Sequence, residues 1–351
     1  MRPLWRHLGF VALLALDLFA PARAGADPVA DFYRGKTLRL MIGASAGGGY
    51  DIVGRIIASR LGSHIPGNPT IVIDNIPAAA SLVMTNTLYN SAPRDGTAIG
   101  LPSNAIPLEP RLKLLSRGGG NASFDISRFG WIGSAAQQPQ VLFVWHDAPV
   151  ETAADLKTTP LLMGALGVGA DSYTLPIIMN AVLGAKMRII PGYEGFSDTL
   201  VALERGEIQG HSAGLANLMA AKPEWVRDGM VRILIQFGRE RLPELSDVPT
   251  AAELAGNDLD RDMLRFFALK YNMAYTLIAP PGVPADRLQA LRTAFDETMK
   301  DPEYIAAARK ISLPINPLTG QQVTDLVAQI QATPDDVVDR LRTILDAAAQ
   351  K

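Results

Sequence analysis

The 351-residue chain contains no cysteine, which excludes disulfides, thiolate metal centres and a lipidated cysteine anchor. Histidine is scarce, with four in all, and none lies beyond His211. No Tyr-x-x-x-Lys pair is present to handle a proton beside a nicotinamide, and no Arg-Arg pair marks a twin-arginine export route. Neither sign of charge dominates: 33 Lys and Arg face 35 Asp and Glu, for a formal net charge of −2. Without a basic excess or a polybasic cluster, nucleic acid and anionic membrane surfaces are not expected partners. Long apolar runs are missing as well. The stretch 8–16 is too short to cross a bilayer, and Asp17 interrupts it.

That short apolar stretch follows Arg2, Arg6 and His7 and precedes the small-residue options Ala22-Arg23-Ala24 and Ala24-Gly25-Ala26. Residues 1–26 therefore read as a secretory signal peptide and 27–351 as the mature, exported chain. Cleavage removes three arginines and one aspartate, taking the formal charge from −2 to −4.

Along the mature chain, short apolar runs alternate with helix-like stretches. Strands are expected at 38–42, 70–74, 98–101, 141–145, 161–165, 187–190, 231–235 and 275–279. Helices are expected over 51–61, 81–89, after Asp171, near 197–204, from a cap at Asp286, and from Thr333-Pro334. This is an α/β protein of two units, each with a mostly parallel sheet. Residues 116–124 read as a flexible loop.

The most informative segment is Ile42-Gly43-Ala44-Ser45-Ala46-Gly47-Gly48-Gly49-Tyr50-Asp51. An apolar strand feeds a glycine-rich turn, and a helix begins near Asp51. Free N–H groups and the positive end of a helix dipole then converge on one spot, which suits an anion. Three readings compete. Gly43-Ala44-Ser45-Ala46-Gly47 matches the G-x-S-x-G nucleophile elbow, but the strands that should precede it and a late histidine are missing. A dinucleotide turn, with Asp74 as the ribose acid, lacks its proton-handling pair and sits in an exported chain. A carboxylate-binding turn needs only N–H donors and a second lobe to close over the ligand.

The order of several segments then resembles the Bug-type receptors, the periplasmic solute-binding components of tripartite tricarboxylate transporters. The glycine turn is one such segment. Pro69-Thr70-Ile71-Val72-Ile73-Asp74-Asn75-Ile76-Pro77-Ala78-Ala79-Ala80-Ser81 and Pro93-Arg94-Asp95-Gly96-Thr97 follow it. Farther on come Gly167-Val168-Gly169-Ala170-Asp171-Ser172 and Pro191-Gly192-Tyr193-Glu194-Gly195. Arg241-Leu242-Pro243-Glu244-Leu245-Ser246-Asp247-Val248-Pro249-Thr250 is the most specific match, and Ala279-Pro280-Pro281-Gly282-Val283-Pro284 is another. Together they cover nearly the whole mature chain.

The resemblance implies a type II periplasmic binding protein whose two α/β lobes are joined by crossing segments near Gln137 and Asn272. Lobe 1 would comprise 27–137 and 273–351, and lobe 2 residues 138–272. It implies a periplasmic receptor for a small carboxylate, with membrane transporter subunits as partners and neither cofactor, metal nor catalytic residue. A sensory module and an esterase using Ser45 are the alternatives. The implied ligand-binding set from lobe 1 is Ser45, Ala46, Gly47, Gly48, Gly49, Tyr50 and Asp51, with Ala79, Ser81 and Asn104. Lobe 2 would add Gly169, Ala170, Asp171, Ser172, Tyr193 and Gly195.

The chain also departs from the pattern. Gly43-Ala44 replaces a Pro-aromatic pair, Tyr50 a threonine, and Glu194 a lysine. Ala78-Ala79-Ala80-Ser81 stands where glycines give backbone freedom. Asp51 and Asp171 have two readings: caps of helix starts, or acids facing the cleft that would favour a neutral or cationic ligand. Tyr33, Trp131, Trp145 and Trp225 are expected to pack in the core, and Arg39, Arg55 and Glu194 to be solvated.

Overall fold

Two sheets carry the fold, and the chain crosses between them twice. The computed structural model describes residues 27–118, 120–167 and 170–349; the expected signal peptide lies outside them. The chain first lays down β1 (Thr37–Ile42), β2 (Thr70–Asn75), β3 (Ala98–Leu101) and β4 (Gly130–Ala136). It then builds a second sheet from β5 (Gln140–Trp145), β6 (Leu161–Gly164), β7 (Met187–Ile190), β8 (Gly210–Gly214) and β9 (Val231–Phe237). Finally it returns to the first with β10 (Ala274–Ala279) and β11 (Leu318–Thr319). The strand orders are β11-β4-β10-β3-β1-β2 and β7-β6-β8-β5-β9.

The expected strands are present within a residue or two, but the sheets are mixed rather than mostly parallel. β1 runs parallel to β2 and β3, and β6 to β7 and β8. β10 is antiparallel to both β3 and β4, because it enters from the other sheet and slots between them. β5 is antiparallel to β8 and β9.

Helices α1 (Pro28–Tyr33), α2 (Gly49–His64), α3 (Leu82–Asn90) and the short α4 (Glu109–Leu112) belong to the first pass. Around the second sheet lie α5 (Asp171–Leu183), α6 (Phe196–Glu204), α7 (Leu215–Ala221), α8 (Pro223–Arg227) and α9 (Asp258–Ala268). The tail adds α10 (Ala285–Thr298), α11 (Pro302–Lys310), α12 (Gly320–Ala332) and α13 (Asp335–Ala349). Asp286 does not cap α10; Pro284 precedes that helix and Asp286 sits inside its first turn. The last helix packs on α9 and α5, where Arg340 Nε donates to Asp260 Oδ1 at 2.8 Å.

Both faces of the first sheet are covered, so β1 is apolar throughout its inner half. Leu38, Leu40 and Ile42 join one core with Ile57 and Phe295, and Met41 points to another with Met84 and Trp131. The second core continues into Leu142, Ile178 and Phe267 around the second sheet, so the two units share apolar packing. Tyr33, Trp131 and Trp225 are buried, and Trp145 stacks edge-on against Trp225 at 4.7 Å.

The crossings lie side by side. Gln138 N–H donates to the Tyr271 carbonyl at 2.7 Å, and Asn272 Nδ2 donates to Gln137 Oε1 at 2.8 Å. The passage from β4 to β5 and the passage from α9 into β10, hydrogen-bonded to each other, form the joint between the sheets.

Candidate functional site

The turn after β1 opens directly into α2. Gly48 precedes the helix and has no side chain to cap it, so Gly49, Tyr50 and Asp51 present N–H groups without partners among the described residues. Two donors expected from this turn are used internally. Gly48 N–H donates to the Ser45 carbonyl at 3.2 Å, and Gly47 N–H to Asp51 Oδ2 at 2.8 Å.

Asp51 is 2% exposed and turned back onto its own turn. Its carboxylate also accepts from Arg55 Nε at 2.8 Å and Asn75 Nδ2 at 3.0 Å. Arg55 foremost, then the Gly47 N–H and the Asn75 amide, outweigh burial and hold its pKa at about 2. Asp51 thus fastens the turn rather than facing the cleft. Arg39 and Arg55 are exposed as expected but paired, with Asp74 and Asp51.

Behind this turn, Tyr50 Oη accepts from the Asn104 N–H at 3.0 Å, and the Tyr50 ring lies 4.9 Å from that of Tyr275. Burial, mainly, pushes the Tyr50 hydroxyl well above its ordinary pKa. Ser81 is buried and works as a latch: its hydroxyl donates to the Gly43 carbonyl at 2.7 Å and accepts from Ser103 N–H at 3.0 Å. Ala79, Ala80 and Ser81 all hold positive φ, at 49°, 50° and 78°. The chain therefore keeps a glycine-like path without glycine, at a cost of about 1–2 kcal/mol per residue.

The second expected helix start is that of α5. Ala170 offers no side-chain cap, and Asp171 and Ser172 keep free N–H groups among the described residues. Gly169 lies outside the described residues. Ser172 Oγ is buried and accepts from Leu166 N–H at 3.1 Å, which fixes the loop before α5. Tyr193 and Gly195 also spend their N–H groups internally, on the Ala165 carbonyl at 3.3 Å and on Asp198 Oδ2 at 2.8 Å. Phe196 and Ser197, at the start of α6, have N–H groups without partners among the described residues. Glu194 is exposed.

Between the walls stand residues that the sequence did not flag. Lys270 Nζ lies 2.6 Å from Asp171 Oδ1 and over the rings of Phe267 and Tyr271, at 4.2 and 5.0 Å. Tyr275, at φ 57°, is a strained position for a bulky residue in a strand, and its hydroxyl is 3.5 Å from Gln138 Nε2. Lys270 pairs with Asp171 at the start of α5 and Tyr275 packs on Tyr50 of α2, so one stretch of chain links the two helix starts. One signal was available: Lys270 is the single charge in the run Phe266-Phe267-Ala268-Leu269-Lys270-Tyr271.

Among the described residues no side-chain hydrogen bond joins a base to Ser45. Its side chain is exposed, while His64 pairs with Asp301 and His211 Nδ1 lies 2.8 Å from the Gly164 carbonyl. A carbonyl only accepts, so His211 carries its proton on Nδ1; burial lowers its pKa to about 4. Cavities of about 430 and 340 Å³ do exist elsewhere, between the loop after β9 and α9, the first also reaching the α12–α13 corner. Their guanidinium groups include Arg241 and Arg265, which already pair with Glu253 and Asp262. Arg239, which lines both, has no ion pair among the described residues, whereas the free backbone donors lie at the helix starts.

Residues 53–343 match the TctC family, described as the tripartite tricarboxylate transporter family receptor. The chain belongs to that family. The UPF0065 protein in the gbd 5′ region of Cupriavidus necator is 26% identical over 343 residues, 94% of each chain. BugT of Bordetella pertussis (strain Tohama I) is 26% identical over 302 residues, 84% of this chain and 86% of its own. A TctC solute-binding protein from Polaromonas shares the fold with a TM-score of 0.68 at 18% identity, over 90% of this chain and 99% of its own. Rpa4515 of R. palustris, solved with adipate, gives 0.56 at 20% identity, over 90% and 97%. The TctC chain described here is a solute-binding receptor, not an enzyme. No helix among its described residues is long and apolar enough to cross a membrane.

Proposed function

We propose that this receptor works in the periplasm after loss of residues 1–26, captures a small organic acid, and delivers it to membrane subunits of a tripartite transporter. The lobes that close on the ligand are 27–137 with 273–351, and 138–272, with α13 strapped onto the second. The observation that supports this reading is that the starts of α2 and α5 both lack a side-chain cap and are linked by one segment, in which Lys270 pairs with Asp171 and Tyr275 packs on Tyr50. Gly49, Tyr50, Asp171 and Ser172 offer N–H groups to one anion there, with the helix dipoles adding to the attraction. The Gln137–Asn272 joint gives the lobes a place to move. Closure buries the ligand charge, and hydrogen bonds to it strengthen in the lower dielectric. The adipate bound by Rpa4515 is consistent with an acid ligand.

Thermal unfolding with carboxylates and their matched amides tests the reading. A ligand at about 100 times its dissociation constant stabilises the fold by about 2.7 kcal/mol. Carboxylates are expected to raise the midpoint by at least a couple of degrees. A shift with amides or nicotinamide cofactors alone would contradict it.

A further inference from the structure

The two ends of the cleft differ in polarity. At the α2 start the only acid, Asp51, is turned inward onto Gly47, Arg55 and Asn75, leaving donors alone to face a ligand. At the α5 start the acid is not turned away. Asp171 pairs with Lys270 Nζ at 2.6 Å and lies beside the Tyr271 hydroxyl, and its side chain is 25% exposed against 10% for the lysine. The ammonium is tucked over Phe267 and Tyr271, so the carboxylate is the more exposed half of the pair. A second group converges there. Tyr271 Oη is buried beside the Asp171 carboxylate, whose charge and hydrogen bonding add to the burial that raises its pKa.

We propose that the ligand is a monocarboxylate whose far end carries a hydrogen-bond donor, received by the Asp171 carboxylate and the Tyr271 hydroxyl, and that Asp171 selects against dicarboxylates. The proposal rests on the carboxylate-receptor reading above and specifies its ligand. Because Lys270 balances the charge, Asp171 acts as an acceptor for a neutral hydroxyl or amide as well as for an ammonium. A second ligand carboxylate finds no such match. To reach Lys270 it must displace Asp171 from a largely buried pair, which strands a charge without its partner.

The test is calorimetric titration of the purified protein with acids of matched length: adipate against 6-hydroxyhexanoate and 6-aminohexanoate, and succinate against 4-hydroxybutyrate. In at least one series, an acid with a terminal hydroxyl or amine is expected to bind ten times more tightly than the diacid. Asp171→Asn should bring that ratio toward one, and Tyr271→Phe should weaken the donor-bearing acid several-fold while leaving the diacid unchanged. A diacid that binds as well as its donor-bearing counterpart in the unaltered protein overturns the proposal, and that comparison needs no variant to fold. An unchanged ratio in Asp171→Asn overturns it too. Binding by neither series removes the carboxylate reading itself, whereas equal binding removes only this refinement.

Discussion

The hydroxyl of Ser81 donates to the carbonyl of Gly43 at 2.7 Å, and the same oxygen accepts from Ser103 N–H at 3.0 Å. One buried side chain thus ties three loops on the lobe 1 side of the cleft. Ser81→Ala leaves a buried carbonyl and a buried N–H without partners, at a cost of about 1–3 kcal/mol. Gly43→Ala should do more harm, since a Cβ there would lie 2.3 Å from Ser81 Oγ and 2.6 Å from Ser81 Cβ. Thermal midpoints should show Ser81→Gly rescuing part of the Gly43→Ala loss and Ser81→Ala rescuing none. Equal rescue by both would mean the loops do not meet as described.

Ala79 and Ala80 invert a usual rule. Glycine for alanine normally costs backbone entropy, about 0.5–1 kcal/mol. Here both alanines sit in left-handed backbone that costs an L residue about 1–2 kcal/mol. Ala80→Gly is therefore expected to hold or raise the unfolding midpoint, by up to about 1 kcal/mol of stability. A clear fall in the midpoint would show that the turn takes another path.

Acid should weaken the fold in two stages. His211 ionises near pH 6.5 when unfolded and at about 4 when folded, so the unfolded chain takes up the proton first and stability falls from pH 6.5 to 4. Asp51 has its pKa lowered from 3.8 to about 2 in the fold, so its contribution is present above pH 4 and lost between 4 and 2. Asp301, held low by His64 and Arg60, shares that lower window. Unfolding midpoints followed against pH should flatten in the upper stage for His211→Gln and in the lower for Asp51→Asn. A His211→Gln profile parallel to the unaltered one would contradict the assignment.

The first wall of the cleft was legible in sequence because its cause is local: an apolar strand, a glycine run and a helix start follow one another within fifteen residues. The second wall was legible only as a helix start. Its most distinctive pair, Asp171 and Lys270, is 99 residues apart, and only the tertiary fold brings them together. Strands β4 and β8, both interrupted by glycines, carried no expectation. Those glycines instead make room: a Cβ at Gly133 would lie 2.2 Å from the Phe295 ring, and one at Gly210 2.7 Å from Met163 Sδ. The donors of Gly47, Tyr193 and Gly195 were overcounted because sequence does not show which N–H groups the chain spends on itself.

The central claim is that a carboxylate is held by backbone N–H groups at two helix starts. Amide proton–nitrogen NMR spectra of the labelled protein, recorded as a bound carboxylate is added, test it most directly. The account predicts the largest shifts at Gly49, Tyr50, Asp171 and Ser172, with matched amides leaving those signals in place. Shifts gathered instead around Arg239 and Arg265, which line the cavity beside α9, would move the site and contradict it.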